Sequence, residues 1–252
     1  MMPIRPMVAL LGLMISLGFA AGAHAEEAEG WKPLFNGKDF TNWRVPDDGP
    51  WTIVDGVIDV DPARGSERGD AWTQEHYEDF VLHVEWRFTE KVNELPLETR
   101  PVIAPDGSTQ TDSDGNAMTR RVKNGDSGIY LRGQSKAQVN IWNWTVGSGE
   151  VYGYRTDGSM SEEVRRGVTP LTPADNRIGE WNTFIITMVG DRLSVLLNGK
   201  IVLNHAQLPG VAESGPIGLQ LHGSYNAEDD SYSQAAALVQ FRNIHIKPLN
   251  AD

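Results

Sequence analysis

Apolar and polar residues alternate strictly in several short segments of the chain. In residues 81–88 the even-numbered positions are Leu, Val, Trp and Phe, while the odd-numbered positions include His83, Glu85 and Arg87. The same two-residue period recurs in three further segments: residues 128–132, 138–142 and 217–222. A period of two is that of a β-strand that buries one face and leaves the other polar. The pattern therefore predicts several half-buried strands.

Turn signals and a late strand extend this all-β pattern. Asp55-Gly56 and Asn198-Gly199 each separate two apolar runs, as in two-residue β-hairpins. Residues 238–246 alternate again, and sandwiches commonly pair a late strand with early ones. Eight tryptophans, 26 glycines and 14 prolines are typical of many short strands joined by turns. We predict an all-β fold, an antiparallel jelly-roll β-sandwich.

One long segment does not follow the strand rhythm. Residues 90–126 are polar and rich in Asp, Gly, Asn, Thr and Pro, which predicts a loop insertion between strands. Long ordered loops often border binding sites, whereas a solvated hairpin is the plainer interpretation. The sequence leaves both open.

The N-terminus has the features of an export signal. Arg5 precedes an apolar run over residues 7–23, which closes on the small-residue pattern Ala23-His24-Ala25. We expect residues 1–25 to be a cleaved signal peptide, the alternative being a membrane anchor. Residues 26–252 would then form one domain without a membrane span, exported to the periplasm or secreted.

Composition excludes some functions. The chain has no cysteine, so an exported protein of this sequence must be stabilised by its core rather than by disulfides. The formal net charge of −12 would repel a phosphate backbone, which argues against nucleic acid as a partner. The oligomeric state is not indicated.

The polar faces of the alternating segments are unusual in composition. If these faces lie on one side of a sheet, they bring together Glu85, Arg87, Tyr130, Arg132, Gln138, Asn140, Trp142, Gln220 and His222. Amide, guanidinium and carboxylate groups suit sugar hydroxyls, and an indole suits the apolar face of a pyranose. The same residues could also decorate a covered sheet face. We expect a concave sheet that binds a carbohydrate.

Catalytic acids are scarce on these faces. Ordinary glycosidic hydrolysis needs two carboxylates that flank the bond, yet Glu85 is the only acid in the set. Asp126 stands just before the segment that starts at Gly128, and Glu150 follows a glycine-rich stretch. Either could approach Glu85. The histidine spacing shows no metal motif. In the acidic run that starts at Asp112, Ala117 stands where a calcium loop needs its glycine, and no glutamate closes the loop.

Several motifs together resemble those of the 3-keto-disaccharide hydrolase domain family, from about Trp31 to Lys247. They are the segments 34–43, 51–57, 79–87, 126–132, 179–182, 197–199 and 241–246. The resemblance implies a concanavalin A-like jelly roll that acts on glycosides oxidised at C3. It also implies a bacterial envelope location, and a divalent metal ion in some relatives.

The chemistry implied by this resemblance needs one base rather than a carboxylate pair. A C3 ketone acidifies the C2 proton, whose removal lets the C1 substituent leave. Glu85, His222 or Glu150 would be the base, and Arg132, His222 or a metal ion would stabilise the enolate. Substrate contacts would come from six residues: Asp126, Tyr130, Gln138, Asn140, Trp142 and Gln220.

The sequence departs from the commoner pattern of the family at two positions. Gln138 and Asn143 stand where many members carry acids, and an amide cannot act as a base. The leading hypothesis is a hydrolase or lyase of 3-keto-glycosides. A non-catalytic carbohydrate-binding module is the second, and a conventional endoglucanase the third.

Overall fold

The computed structural model describes residues 30–249 as an antiparallel β-sandwich. Its strands are β1 (Lys32–Pro33), β2 (Trp43–Arg44), β3 (Trp51–Val54), β4 (Val57–Val60), β5 (Ala71–Thr73), β6 (Phe80–Phe88), β7 (Leu97–Pro101), β8 (Thr119–Lys123), β9 (Asp126–Leu131), β10 (Gln134–Trp142), β11 (Asn182–Val189), β12 (Arg192–Leu197), β13 (Lys200–Gln207), β14 (Gly218–Leu219), β15 (Tyr225–Asn226), β16 (Ser231–Tyr232) and β17 (Val239–Pro248). Short helices are a 3-10 helix (Glu90–Glu94), α1 (Tyr152–Arg155) and α2 (Glu162–Gly167). The predicted all-β sandwich is confirmed.

Two large sheets form the sandwich. The eight-stranded sheet has the order β13-β12-β11-β6-β17-β4-β3, and β1 pairs with β17. The five-stranded sheet has the order β10-β9-β14-β5-β2. Strand β17 therefore pairs with early strands, as the late alternating segment predicts.

The inner faces of the two sheets form one hydrophobic core. On β6 the even-numbered side chains are buried and the odd-numbered ones are partly exposed. Trp86 packs against Phe184 of β11, while Ile129 and Leu131 are buried from the other sheet. Each fully buried side chain of this size contributes about 1.5–3 kcal/mol to folding. Alternation thus determines which face of each strand meets the core.

Two hairpins have the geometry that their sequences predict. Asp55 and Gly56 have φ values of 50° and 77°, and Asn198 and Gly199 have 51° and 77°. Positive φ at both central residues defines a type I′ turn, whose twist matches the adjoining strands. The turns join β3 to β4 and β12 to β13.

The segment 90–126 is more regular than a loop. After the 3-10 helix, β7 and β8 pair from Leu97↔Lys123 to Pro101↔Thr119, and two isolated bridges extend the ribbon toward its tip. The segment is therefore an insertion between β6 and β9, as expected, and it takes the form of a two-stranded hairpin ribbon. The ribbon places Glu98 and Asn124 in buried positions beside the start of β9.

The expected signal peptide lies outside the described residues, so its cleavage stays a prediction. Within residues 30–249 no helix has the length and apolar character needed to cross a membrane.

Candidate functional site

The outer face of the five-stranded sheet carries most of the side chains that the sequence singled out. Strand register places Gln138 beside Tyr130, Asn140 beside Gly128, and Trp142 beside Asp126. Gly218 pairs with both Tyr130 and Trp72, and the backbone of Gln220 donates to the carbonyl of Gly128. We call this surface the site face; its members are Asp70, Trp72, Asp126, Tyr130, Gln138, Asn140, Gln220 and His222.

Two glycines allow larger side chains to lie flat on the site face. A Cβ on Gly128 would stand 2.5 Å from the Gln138 Nε2 atom, so the amide of Gln138 lies over this glycine. A Cβ on Gly218 would stand 2.7 Å from the Trp72 ring. Because Gly218 has no side chain, Trp72 and Tyr130 stack with centroids 5.1 Å apart and planes inclined by 9°. The floor of the site therefore consists of the Gln138 and Gln220 amides and the Trp72–Tyr130 pair.

Two of the amide atoms on this floor have no hydrogen-bond partner among residues 30–249. They are the Gln138 Nε2 donor and the Gln220 Oε1 acceptor, both buried. The amide nitrogen of Gln220 donates to the Tyr130 hydroxyl. Burial raises the pKa of Tyr130 to about 12. Buried polar atoms are nearly always paired, so an unpaired donor and acceptor on one face are typical of a ligand site. A sugar hydroxyl, which both donates and accepts, is a suitable partner for either atom.

Asp126 lies on the site face at the first residue of β9. Burial raises the pKa of its carboxyl group to about 6, against the favourable charges of His222 and Arg100. Within residues 30–249 its carboxylate makes no hydrogen bond. A buried carboxylate with a pKa near neutrality and free lone pairs can act as a general base.

His222 interacts electrostatically with two carboxylates. It lowers the pKa of both Asp126 and Asp70 electrostatically, although burial leaves each pKa above its ordinary value. The Asp70 carboxylate also accepts from the Leu221 backbone at 2.8 Å, which fixes it at the start of β5. The His222 Nδ1 atom lies 2.7 Å from the backbone carbonyl oxygen of Ala235. An acid–base group is thus held next to Asp126.

The ribbon supplies one rim of the site. Arg100 pairs with Glu98, and Asn124 donates to the same carboxylate at 3.2 Å. The charges of Glu98 and Arg100 both act on Asp126, in opposite directions. Arg100 also lies 4.5 Å above the ring of Trp144. The segment 90–126 therefore borders the site, as one interpretation of its sequence predicts.

Glu150 is fully buried beside the site face. It forms an ion pair with Arg155 of α1, and its backbone carbonyl accepts from the Asn140 amide at 3.0 Å. Burial raises the pKa of Glu150 to about 7, and its Oε2 atom has no hydrogen-bond partner in the described part of the chain. The Asn140 side chain therefore binds the backbone of Glu150 and fixes the position of that segment.

The structure does not bring Glu85 to this site. Glu85 lies on β6 in the eight-stranded sheet, so its side chain points away from the core on the opposite side of the sandwich. There it accepts from Arg242 at 2.7 Å and from Asn243 at 2.9 Å. The expectation that all four alternating segments share one face is thus wrong for residues 81–88, because periodicity does not determine which sheet a strand joins.

Arg132 is also displaced from its expected position. Its φ of 51° ends the alternation of β9, and its buried guanidinium turns into the loops at the end of the sheet. It donates to the carbonyl oxygens of Glu78, Gly190 and Ala212 at 2.7–2.9 Å, and pairs with Asp79 at 2.9 Å. These contacts use its donors to hold three loops together.

Trp142 reaches the expected face but does not present a free ring. It stacks on Trp144 with centroids 4.0 Å apart, and its Nε1 atom donates to the Gly147 carbonyl at 2.9 Å. Trp72 and Asp70, which the sequence analysis missed, lie on the face instead. Strand β5 has only three residues, too few to show a period, although an Asp-x-Trp spacing is present.

The donor set does not form a ready metal centre. In the part of the chain that the structure describes, no three His, Asp or Glu side chains converge as metal ligands would. The charge of Glu98 acts on Asp126, but the Glu98 carboxylate is already bound by Arg100 and Asn124. No chemical step is therefore derived through a metal ion.

Comparison with known proteins identifies the family to which these features correspond. A family model described as the 3-keto-alpha-glucoside-1,2-lyase-like domain matches residues 30–247. No curated protein in the comparison matches the chain.

Solved structures share the fold. Two Parabacteroides distasonis proteins assigned as glycosyl hydrolases have 18% and 20% sequence identity and TM-scores of 0.53 and 0.52. The matches cover 90% and 87% of this chain and 99% of each of those chains. A carbohydrate-binding module from Bacillus subtilis matches at 14% identity and a TM-score of 0.39, over 82% of this chain and 96% of the module.

Proposed function

Because the chain belongs to the 3-keto-alpha-glucoside-1,2-lyase-like domain family, we propose that its site face binds a glycoside oxidised at C3 and cleaves the glycosidic bond by elimination. The family makes this a carbohydrate-active protein. The observation that carries the elimination chemistry is one buried carboxylate, that of Asp126, with a raised pKa and no hydrogen-bond partner among the described residues.

The reaction requires one base and one acid. A ketone at C3 acidifies the C2 proton, so a base of moderate strength can remove it. The electron pair of the C2–H bond then forms a C1=C2 double bond, and the C1–O bond breaks with its pair on the departing oxygen. That oxygen takes up a proton. Addition of water across the double bond would convert the elimination into a net hydrolysis.

Asp126 is the base in this proposal. Its pKa of about 6 makes the carboxylate a stronger base than an exposed aspartate while leaving it ionised at neutral pH. The neighbouring Gln138 and Gln220 amides offer one donor and one acceptor for sugar hydroxyls. The half-buried Trp72 ring extends this floor with an apolar surface.

His222 is the proton donor to the leaving oxygen. Its Nδ1 atom is held by the Ala235 carbonyl, which leaves Nε2 to exchange the proton. The base and the acid of the elimination thus lie side by side on one face.

Substitution of Asp126 tests the proposal. We expect Asp126→Asn to lower kcat on 3-keto-trehalose by about 10²–10⁴-fold, the usual contribution of a general base. Glu85→Gln is the matched control, since Glu85 lies on the other sheet, and should retain activity. Unoxidised trehalose should not be cleaved, and a chelator arm would show any metal requirement.

Two outcomes would contradict this assignment. Equal cleavage of trehalose and 3-keto-trehalose would indicate conventional glycosidase chemistry. Binding of both sugars without cleavage of either would favour a carbohydrate-binding module, the function that the unpaired amides alone would support.

We also propose that the protein acts outside the cytoplasm. The basis is the sequence of residues 1–25, with its basic start, apolar run and Ala-His-Ala end. Fractionation of the source cells and N-terminal sequencing should recover a periplasmic or secreted chain that begins at Glu26. A cytoplasmic full-length chain would contradict this.

A further inference from the structure

His222 is followed by a hairpin that folds back onto it. Strands β15 and β16 form this hairpin, which we define as residues 223–236. Where the chain returns, the Ala237 backbone donates to the His222 carbonyl at 2.9 Å. The Ala235 carbonyl oxygen lies 2.7 Å from the Nδ1 atom of the His222 ring. The returning chain therefore contacts both the backbone and the ring of His222.

Ala235 has a backbone conformation that its surroundings must impose. Its φ of 58° lies in the left-handed region, which costs on the order of 1–3 kcal/mol for a residue with a Cβ and persists only where neighbouring contacts hold it. At the base of the hairpin, the Ser233 backbone donates to the Ser224 carbonyl at 2.9 Å. Gly223 packs so closely there that an added Cβ would stand 2.8 Å from the Ala236 Cα atom. The position of the Ala235 carbonyl thus depends on how the hairpin is held.

Tyr232 ties the hairpin to the body of the sandwich. Its ring packs against the hydrophobic core, and its hydroxyl donates to the Asp61 carboxylate at 2.8 Å. Asp61 directly follows β4 and is buried. Residues 226–231, at the tip of the hairpin, are all exposed. The hydrogen bond between Tyr232 and Asp61 therefore fixes the hairpin against the end of β4.

Asp61 also joins the hairpin to the segment that leads into the ribbon. Lys91, in the 3-10 helix, donates to the other oxygen of the Asp61 carboxylate at 2.7 Å, and the Ala63 backbone donates at 2.9 Å. Burial opposes the ionisation of Asp61, but hydrogen bonds from Lys91, Ala63 and Tyr232 outweigh burial and lower the pKa of Asp61. The carboxylate is therefore ionised at neutral pH and accepts from three donors.

We propose that Tyr232 and Asp61 are positioning residues for His222. Their hydrogen bond holds the hairpin where the Ala235 carbonyl keeps the proton of the neutral His222 ring on Nδ1. The Nε2 atom then remains the one that exchanges protons. This inference rests on the proposed function, in which His222 protonates the leaving oxygen. Both residues act through His222 rather than on the substrate.

Two tyrosines of the hairpin provide a matched test. The Tyr232 hydroxyl bonds to Asp61, outside the hairpin, whereas the Tyr225 hydroxyl bonds to Asp230 within it. We expect Tyr232→Phe to lower kcat on 3-keto-trehalose about 10-fold with KM unchanged, since misplacement of a catalytic group by about 1 Å can cost about 10²-fold. Tyr225→Phe should retain the wild-type kcat and KM. An equal loss of kcat in both variants would overturn the proposal.

A double variant shows whether Tyr232 acts through His222. In the His222→Gln background, Tyr232→Phe should cause no further loss of kcat, because both changes affect the same proton transfer. Additive losses would overturn the positioning role, since Tyr232 would then act on another step.

NMR of the His222 ring nitrogens separates this inference from the proposed function. At a pH where the ring is neutral, the wild type and Tyr225→Phe should show one tautomer, with the proton on Nδ1, and Tyr232→Phe should show a mixture of the two tautomers. The spectra do not depend on cleavage, so they decide the positioning role even if the wild type leaves 3-keto-trehalose intact, a result that would contradict the proposed function alone. A single Nδ1-protonated ring in Tyr232→Phe would overturn the inference.

Discussion

The Nδ1 atom of His222 lies 2.7 Å from the carbonyl oxygen of Ala235. A carbonyl oxygen only accepts, so Nδ1 carries the proton and the neutral ring has its lone pair on Nε2. His222 can therefore exchange protons only through Nε2. This contact decides which ring atom serves the proposed chemistry.

Replacement of His222 should separate catalysis from binding. His222→Gln can still donate an amide hydrogen to Ala235 but cannot transfer a proton. We expect kcat on 3-keto-trehalose to fall about 10²-fold or more, with KM changed little. Steady-state kinetics measure both. A rise in KM with unchanged kcat would assign His222 to substrate binding instead.

The pH dependence of the reaction should report the ionisation of Asp126. A base is active when deprotonated, so kcat/KM should rise with pH through an apparent pKa of about 6 in the free protein. The measurement is a kcat/KM profile from pH 4.5 to 8. Glu85→Gln should keep the same acid limb. A profile that is flat across this range would contradict the assignment of Asp126.

The ionised form of Asp126 should lower the free energy of unfolding at neutral pH. Its folded pKa of about 6 is above the unfolded value of 3.8, so stability is highest below the unfolded pKa and falls as pH rises through the folded one. We expect Asp126→Asn to be more stable than the wild type at pH 7, by on the order of 1–3 kcal/mol, and the gain to shrink toward pH 4.

Urea unfolding at the two pH values measures this difference. Asp106→Asn is a suitable control, because Asp106 is exposed and its pKa is lowered rather than raised. A variant of Asp126 that is less stable than the wild type at pH 7 would show that the ionised carboxylate is stabilised by the fold.

Gly128 should be required for the position of the Gln138 amide. A Cβ at Gly128 would displace that amide, which lies 2.5 Å away, so we expect Gly128→Ala to raise KM about 10-fold, as expected for a lost hydrogen bond to substrate. Gly158→Ala is the control, since no atom lies within 4 Å of its added Cβ. Unchanged kinetics of Gly128→Ala would show that the Gln138 amide does not contact the sugar.

Arg132 should matter for stability rather than for catalysis. Loss of its buried guanidinium leaves three carbonyl oxygens unpaired, and removal of one member of such a buried set costs about 3–5 kcal/mol. We therefore expect Arg132→Ala to lower the unfolding free energy by that amount. The exposed Arg192→Ala variant should change it by less than about 0.5 kcal/mol. A stable Arg132→Ala variant with a large loss of kcat would restore the catalytic assignment.

Local pattern was sufficient to predict the strands but not their neighbours. The period of two gives the buried face of β6, β9 and β10, and the Asp-Gly and Asn-Gly pairs give the hairpins. Strand pairing depends on contacts between distant segments, so the pattern could not show that Glu85 belongs to the opposite sheet. It also could not show the positive φ of Arg132, which reverses the direction of one side chain.

The candidate site was predicted in part for the same reason. Five residues of the longer outward sets, Tyr130, Gln138, Asn140, Gln220 and His222, do lie on the site face. Trp72 and Asp70 were missed because β5 is too short for a period to appear. The role of Asp126 depends on burial, and burial follows from the ribbon and the neighbouring strands rather than from its own segment.

Because the core lies between the two sheets, the site face and the outer face of the eight-stranded sheet are on opposite sides of the molecule. The outer face of the eight-stranded sheet, with Glu85, Arg87 and Arg242, is separated from Asp126 by the thickness of the sandwich. Attachment to a solid support through that outer face should leave the sugar-facing surface open to solution. Large substrates could then reach an immobilised protein as freely as a dissolved one.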